Sequence, residues 1–206
     1  ILKAIDATGA RGNTLVFFAS DNGPTWYPED VKRFGHSAAG NWRGMKGDAW
    51  EGGHREPFIA RWPGKIKPGT ESRETICFTD FLATFAALTK SKLPDDAGED
   101  SFNILPALLG ELLEKPIHEA TVANSSKGLL AIRQGDWKLI NGAGSGGFTK
   151  FPGEKGEVGQ LYNLATDPGE KNNLWGQNPE IVRRLSALLE KYKKEGHSRL
   201  VDRMNP

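Results

Sequence analysis

Cysteine occurs once in the 206 residues, at Cys77, so no intrachain disulfide is possible and a disulfide scaffold is excluded. Long apolar runs are also missing. Leu15 to Ala19 is typical of the runs present, far short of the roughly 20 residues that a membrane-spanning helix needs. Neither sign of charge dominates: 27 Lys and Arg stand against 26 Asp and Glu, a net charge of +1. That balance gives no electrostatic reason to expect nucleic acid or a membrane surface as a partner. There is no starting Met. Ile1 opens directly in a helical pattern, without the basic and then apolar stretch of a signal peptide, so the chain is expected to be a fragment or a processed piece. What is present is 37% hydrophobic and 26% charged residues, which suits one globular core of ordinary size or two small ones.

The order of patterns suggests two regions. Ile1, Leu2 and Ile5 sit at helical spacing, and Gly9 and Gly12 break it. Thr14 to Ala19 is a β-rich apolar run, as expected of a strand covered on both faces in a parallel sheet. Residues 25–57 are rich in Gly, Trp and charge with little periodicity, a combination that marks a functional loop when tryptophans argue for order. Phe58 to Trp62 reads as a strand, Thr79 to Leu88 as a helix with the apolar stripe Phe81, Leu82, Phe85 and Leu88, and Ile104 to Leu113 as a short helix. After Lys115-Pro116 come short strands at 120–123, 129–133, 137–140 and 160–164, with Gly135-Asp136 as a hairpin turn and a glycine-rich, mobile loop over 141–159. Asn178-Pro179-Glu180 carries the start signals of a helix that runs to about residue 195. The predicted boundary lies near Lys115: residues 1–115 form part of a larger α/β domain, and 116–206 form an antiparallel sheet with helix 179–195.

Two segments have the residue types for chemistry. Asp21-Asn22 places a carboxylate beside an amide carbonyl just past a strand, where sites form in open α/β sheets. These are hard oxygen donors suited to Ca²⁺ or Mg²⁺, although Asp-Asn-Gly is equally a common turn. Arg43-Gly44-Met45-Lys46-Gly47 flanks a lysine with glycines that let backbone approach a ligand, and the ammonium suits an anion; a solvated surface loop has the same composition. His36 falls between these segments and His54 follows them, whereas His118 and His197 read as surface residues. Trp26, Trp42 and Trp50 suit either a carbohydrate-stacking wall or packing that orders the loop.

Taken in order, the segments carry a resemblance. Ser20-Asp21-Asn22-Gly23, then Arg43-Gly44-Met45-Lys46-Gly47, then Glu51-Gly52-Gly53-His54-Arg55-Glu56-Pro57-Phe58-Ile59-Ala60-Arg61-Trp62-Pro63-Gly64 is similar to the SDNG, RGxKG and EGGxRxPFIxxWPG pattern of the sulfatase family in the alkaline phosphatase superfamily. Asp80 to Thr84 resembles a further family stretch, and Gln160 to Leu174 resembles its LYDLxxDPxExxNL segment. The resemblance implies the C-terminal part of an alkaline-phosphatase-like α/β/α sulfatase domain, followed by the small antiparallel sheet and helix. It implies Asp21 and Asn22 as ligands of a divalent cation, Ca²⁺ rather than Mg²⁺ by family habit, and Lys46 as a sulfate contact. His36 becomes a candidate for a catalytic or sulfate contact, and His54 for the substrate pocket or its support. The implied nucleophile is a formylglycine made from a CxPSR-type motif, the implied substrate a sulfate ester, including carbohydrate sulfates, and the implied compartment periplasmic or extracellular.

The departures matter as much. The sequence contains no CxPSR or SxPSR; Cys77 lies in Ile76-Cys77-Phe78-Thr79 and reads as a structural thiol. Asp95-Asp96 sits in an acidic loop and does not replace the missing acidic pair of the metal site. The chain is therefore expected to be inactive alone and, with apolar faces uncovered, to self-associate. A phosphate- or phosphonate-ester hydrolase of the same superfamily, or a non-catalytic interaction module, are the alternatives.

Overall fold

The computed structural model describes residues 1–150 and 157–199. In chain order the elements are α1 (Leu2–Ala7), β1 (Val16–Ala19), α2 (Pro28–Phe34), β2 (Phe58–Arg61), α3 (Phe81–Leu88), α4 (Leu105–Leu109), β3 (Thr121–Asn124), β4 (Leu130–Gln134), β5 (Trp137–Ile140), β6 (Gln160–Asn163) and α5 (Pro179–Glu195). They fall into two compact units. The first comprises Ile1–Ala19, Phe58–Glu119 and the described residues from Glu195; the second comprises Ser20–Pro57 and Ala120–Lys194. The chain passes between units after Ala19, Pro57, Glu119 and Lys194, so residues 20–57 cluster with the C-terminal sheet rather than with the segments flanking them in sequence.

In the first unit, β1 pairs with β2 antiparallel, Val16 opposite Arg61 and Ala19 opposite Phe58. This corrects the expectation of a parallel, doubly covered strand. An apolar run reports a tendency to be buried and carries no information on strand direction. One face of the pair is covered: Phe17 packs 5.3 Å from Phe58 and 4.9 Å from Phe81 of α3, ring centre to ring centre. On the other face Phe18 and Ile59, opposite each other, are 63% and 60% exposed. The stripe predicted for α3 is accordingly only half used, since Leu82 and Phe85 remain exposed.

The start of α3 is held by polar groups. Asp80 is fully buried at the N-cap position. Its carboxylate accepts the backbone N–H of Cys77 at 2.7 Å and of Phe102 at 3.0 Å, and Oδ2 lies 2.9 Å from His118 Nε2. His118 is thus buried, with its ring against Phe102, where the sequence suggested a surface residue. The surface reading failed because the partner that makes burial tolerable lies 38 residues away. Thr84 extends the bracing: its hydroxyl donates to the Asp80 carbonyl and accepts the N–H of Ile104.

The second unit is a four-stranded antiparallel sheet, β3-β4-β5-β6. Gln134 faces Trp137 across the hairpin turn at Gly135-Asp136, where Gly135 takes φ 58°. Side chains alternate between its two faces. One face, with Ile132, Leu139 and Leu161, packs on Leu185, Leu189 and Tyr192 of α5. That helix occupies the predicted range and stops at Gly196, in the left-handed region at φ 73°. The opposite face, with Ala131, Ile140, Tyr162 and Leu164, packs on Ala49 and Trp50. Burying a side chain of this size contributes about 1.5–3 kcal/mol, so the irregular segment 20–57 is fastened to the sheet through its own core residues. Trp50, with 0% exposure, is a packing residue and no part of a carbohydrate wall. The described part of the glycine-rich loop is also pinned, since Ser145 accepts the N–H of Ala49 at 2.7 Å and Gln160 donates to the carbonyls of Gly142 and Gly144. The rest of that predicted mobile loop, 151–156, lies outside the described residues.

Candidate functional site

Beyond β1 the chain turns at Ser20-Asp21-Asn22-Gly23, with the Ser20 hydroxyl donating to the Asn22 carbonyl at 3.1 Å. Two backbone bonds place this turn. Gly23 N–H donates to the Gly53 carbonyl at 3.2 Å, and Lys46 N–H donates to the Pro24 carbonyl at 2.9 Å. The three stretches singled out in the sequence, 20–24, 43–47 and 51–54, therefore meet at one locus of the second unit. Glycine is required at the junction: a Cβ on Gly23 would stand 2.0 Å from the Gly52 carbonyl oxygen.

Lys46 sits at the tip of a tight turn. Gly44 and Gly47 flank it at φ 85° and 81°, conformations that L side chains rarely adopt. Asp48, buried, closes the turn by accepting the N–H of Met45 at 2.9 Å, and it also holds the N–H and hydroxyl of Thr149. The side chain of Lys46 is half-buried, and no hydrogen bond or ion pair is made by its ammonium among the described residues. Asn22 donates its amide N–H to Asp21 Oδ1 at 2.9 Å. That leaves the Asn22 side-chain oxygen Oδ1 and Asp21 Oδ2 as adjacent hard donors, a chemistry that fits Ca²⁺ or Mg²⁺. Two donors are a minority of the roughly 6 to 8 oxygens that Ca²⁺ takes.

The two candidate histidines have different surroundings. His36, exposed beyond the Gly35 cap of α2, stands edge-on to Trp26 at 5.8 Å, and its carbonyl accepts the Trp26 indole N–H. His54 turns to Glu51, with Nε2 3.3 Å from Oε1. Burial depresses its pKa below the ordinary imidazole value, the hydrogen bond to Glu51 partly opposing. Trp42 carries the Arg55 guanidinium 4.0 Å above its ring.

Glu51 is the centre of a buried charge network. Its Oε1 lies 3.0 Å from Lys138 Nζ and its Oε2 2.7 Å from Arg55 Nε, with Arg133 Nη1 3.6 Å from Oε2. Burial alone would raise the Glu51 carboxyl, but the hydrogen bond from His54 and the charges of Lys138 and Arg55 outweigh it and hold the group well below the usual carboxylate range. Lys138, 1% exposed at the side chain, bridges onward to Glu170 Oε1 at 2.9 Å. Glu170 Oε2 accepts the backbone N–H of Glu51 at 2.7 Å, and the Glu170 carbonyl accepts Arg43 Nη1 at 2.6 Å. Burial pushes the Glu170 carboxyl up, with Lys138 opposing. Glu170 holds φ 50°, which costs a non-glycine residue about 1–2 kcal/mol, and both its carbonyl and its carboxylate are engaged as a result. Arg43 also stacks 3.6 Å over Trp50, and Tyr162, whose hydroxyl lies 3.4 Å from Arg43, has its phenol pushed by burial up to about 12. Glu56 is raised by burial and by the nearby Asp21 charge. Of these, the sequence motifs contained Glu51, Arg43 and Glu170, but nothing in the local pattern pointed to Lys138.

A second constellation, Cys77, Asp80 and His118, has potential ligand atoms within 4.8 Å of one another in the first unit. Its donors are already committed to the start of α3: Asp80 accepts two backbone N–H groups and faces His118, and the Cys77 side chain accepts the Asp80 N–H. That bracing accounts for the cluster. Cys77 equally does not fit a formylglycine precursor.

A family model described as Sulfatase matches residues 1–91. The N-acetylgalactosamine-6-O-sulfatase of Bacteroides thetaiotaomicron is 39% identical over 201 residues, covering 94% of this chain and 39% of that protein. Arylsulfatase A of Homo sapiens is 33% identical over 205 residues, covering 91% of this chain and 39% of the human protein. A solved structure from work on glycosaminoglycan metabolism in Bacteroides thetaiotaomicron superposes with a TM-score of 0.81 at 38% identity, over 94% of this chain and 41% of that one. A second, Ps i-CgsB in complex with k-i-k-neocarrahexaose, gives 0.69 at 25% identity, over 93% of this chain and 39% of that one. The chain thus spans about two fifths of the length of these relatives. With an α/β fold that matches theirs and the ordered motifs meeting at one locus, the chain belongs to the sulfatase family.

Proposed function

We propose that this chain supplies the cation-holding turn and a sulfate-contacting lysine of a sulfuric ester hydrolase. The observation that carries the reading is the junction of Asp21-Asn22 with the Lys46 turn through the Lys46–Pro24 and Gly23–Gly53 backbone bonds. Asp21 and Asn22 would hold the divalent cation, their oxygen donors suiting Ca²⁺ or Mg²⁺ and the family resemblance favouring Ca²⁺. When bound, such an ion polarises the ester and stabilises an attacking oxyanion. The Lys46 ammonium, aimed by its two glycines and by Asp48, offsets negative charge that builds on the sulfate oxygens. His36, exposed beside Trp26, is the candidate proton carrier on the substrate side. His54, facing Glu51, supports the site rather than touching substrate. Neither Cys77 nor any CxPSR stretch offers a formylglycine in these residues, so no step is derived through that group.

Carbohydrate sulfates are the substrate class we favour. Relatives are named as N-acetylgalactosamine-6-sulfatases, and one matched structure holds a neocarrahexaose. In the enzyme that contains this chain, Lys46→Ala should lower turnover of a sulfate ester by about 10²-fold or more. An unchanged rate would remove Lys46 from the site, and faster release of 4-nitrophenol from its phosphate than from its sulfate would move the assignment to a phosphoester hydrolase. The 206-residue chain alone should release none from the sulfate.

A further inference from the structure

We infer that Lys138, clamped between Glu51 and Glu170, is a positioning residue that sets the Asp21-Asn22 turn for its cation; this deepens the reading proposed above. Lys138 Nζ lies 3.0 Å from Glu51 Oε1 and 2.9 Å from Glu170 Oε1. Glu170 in turn receives the Glu51 backbone N–H. The 3₁₀ turn Glu51–Gly53 is therefore held at both its side chain and its main chain. That turn is the surface on which Gly23 rests, through the Gly53 carbonyl and with no room for a single methyl group. Asp21 and Asn22 immediately precede Gly23.

A second arm reaches the lysine of the site. Arg43 donates to the Glu170 carbonyl, and the Arg43 carbonyl accepts the N–H of Gly52. Three residues further on is Lys46, whose own N–H is tied back to Pro24. Glu170 thus braces both sides of the junction, and Lys138 is the cation that keeps two buried carboxylates, 2% and 0% exposed, next to each other. Without that cation, two carboxylates in a medium of low polarity repel and separate, and the 51–53 turn moves with Glu51. Groups that orient ligands in this indirect way change metal affinity by about 10- to 100-fold when removed.

The test uses the full protein that carries this chain, with Lys138→Met, Lys138→Arg, Glu170→Gln and Leu189→Ala. The last removes a buried side chain of α5 that packs on the far face of the sheet and serves as a match for general loosening. Two quantities are read: calcium affinity by isothermal titration, and deuterium exchange at the amides of residues 20–24. Lys138→Met should weaken calcium by about tenfold or more and speed exchange at Gly23, Lys138→Arg should restore both to within about threefold, and Leu189→Ala should change neither. Equal weakening by Lys138→Met and Leu189→Ala, or unchanged Gly23 exchange in Lys138→Met, would overturn the inference. Should Lys138→Met fail to fold, Glu170→Gln against Leu189→Ala decides by the same two readings. If the wild-type protein binds no calcium, the functional proposal fails, and the brace is judged on Gly23 exchange alone.

Discussion

Gly23→Ala is a sharp test of how the site is assembled. Gly23 does not occupy the left-handed region, so alanine is not opposed by its backbone conformation. The obstacle is contact. A Cβ would sit 2.0 Å from the Gly52 carbonyl oxygen, 2.7 Å from the Gly53 carbonyl carbon and 2.8 Å from its oxygen. Comfortable separations are about 3.5 Å, so one of the two turns must retreat by more than about 1 Å. All three obstructing atoms belong to the backbone, and no rotamer change relieves them. Overpacking of this kind costs roughly 1–3 kcal/mol. The retreat also strains or breaks the Gly23–Gly53 hydrogen bond, for about 1 kcal/mol more. Alanine's smaller unfolded-state entropy returns about 0.4–1 kcal/mol, leaving a net loss of roughly 1–3.5 kcal/mol. Urea denaturation of the full protein measures this directly. Gly176→Ala is the matched control, since its Cβ would meet nothing within 4 Å and its φ is not left-handed; it should be neutral or stabilising by up to about 1 kcal/mol. If Gly23→Ala unfolds within about 0.5 kcal/mol of wild type, the close apposition of 20–24 on 51–53, and the site built on it, is wrong.

The buried charges predict an acid-sensitive second unit. Glu51 is held below its ordinary 4.5 in the folded state, so the unfolded chain binds more protons, and stability present above that pH is lost as pH falls through it. His54, depressed from 6.5 by burial, starts the loss earlier in the same direction, while Glu170, raised by burial, opposes it. Denaturation midpoints from pH 7 to 3 should therefore fall, and Glu51→Gln should flatten the limb below 4.5; an identical slope in the variant would refute the network. In the first unit, Asp80→Ala strips acceptors from the N–H groups of Cys77 and Phe102 and leaves His118 buried without its carboxylate. The expected cost is about 3 kcal/mol or more, read by urea denaturation, and a loss under about 1 kcal/mol would contradict it. The 206-residue chain alone should self-associate through the face carrying Phe18 and Ile59, 63% and 60% exposed, and Phe18→Lys with Ile59→Lys should shift it toward monomer in sedimentation velocity. A sharply melting wild-type monomer would count against this.

How much of this could be read from sequence depended on the range of the interaction responsible. Helix α5 was legible because its signals are local: Pro179 and Glu180 at the start, apolar residues at helical spacing, and Gly196 at the end. Helix α2 was missed for the complementary reason. Pro28, Glu29, Asp30 and the left-handed Gly35 are good end signals, but the helix buries no residue and so has no apolar stripe to announce it. The direction of β1 was unreadable because its partner β2 enters after the long excursion of residues 20–57.

The same division runs through the site. Asp21, Asn22 and Lys46 stand out as candidates because a hard cation or a sulfate group, where one is bound, dictates the type of the residues that touch it, and glycines let the backbone approach. Lys138 gave no such signal. In Trp137-Lys138-Leu139-Ile140 the alternation of a two-faced strand reads the lysine as solvated. Its burial follows only when Glu51, 87 residues away, folds onto the sheet with Glu170. A residue that touches a ligand is constrained by that ligand's chemistry, whereas one that aims such a residue needs only the right charge at the right place. Its identity becomes visible when the places are known, which is why the proposed brace emerges from the fold and the candidate donors from the sequence.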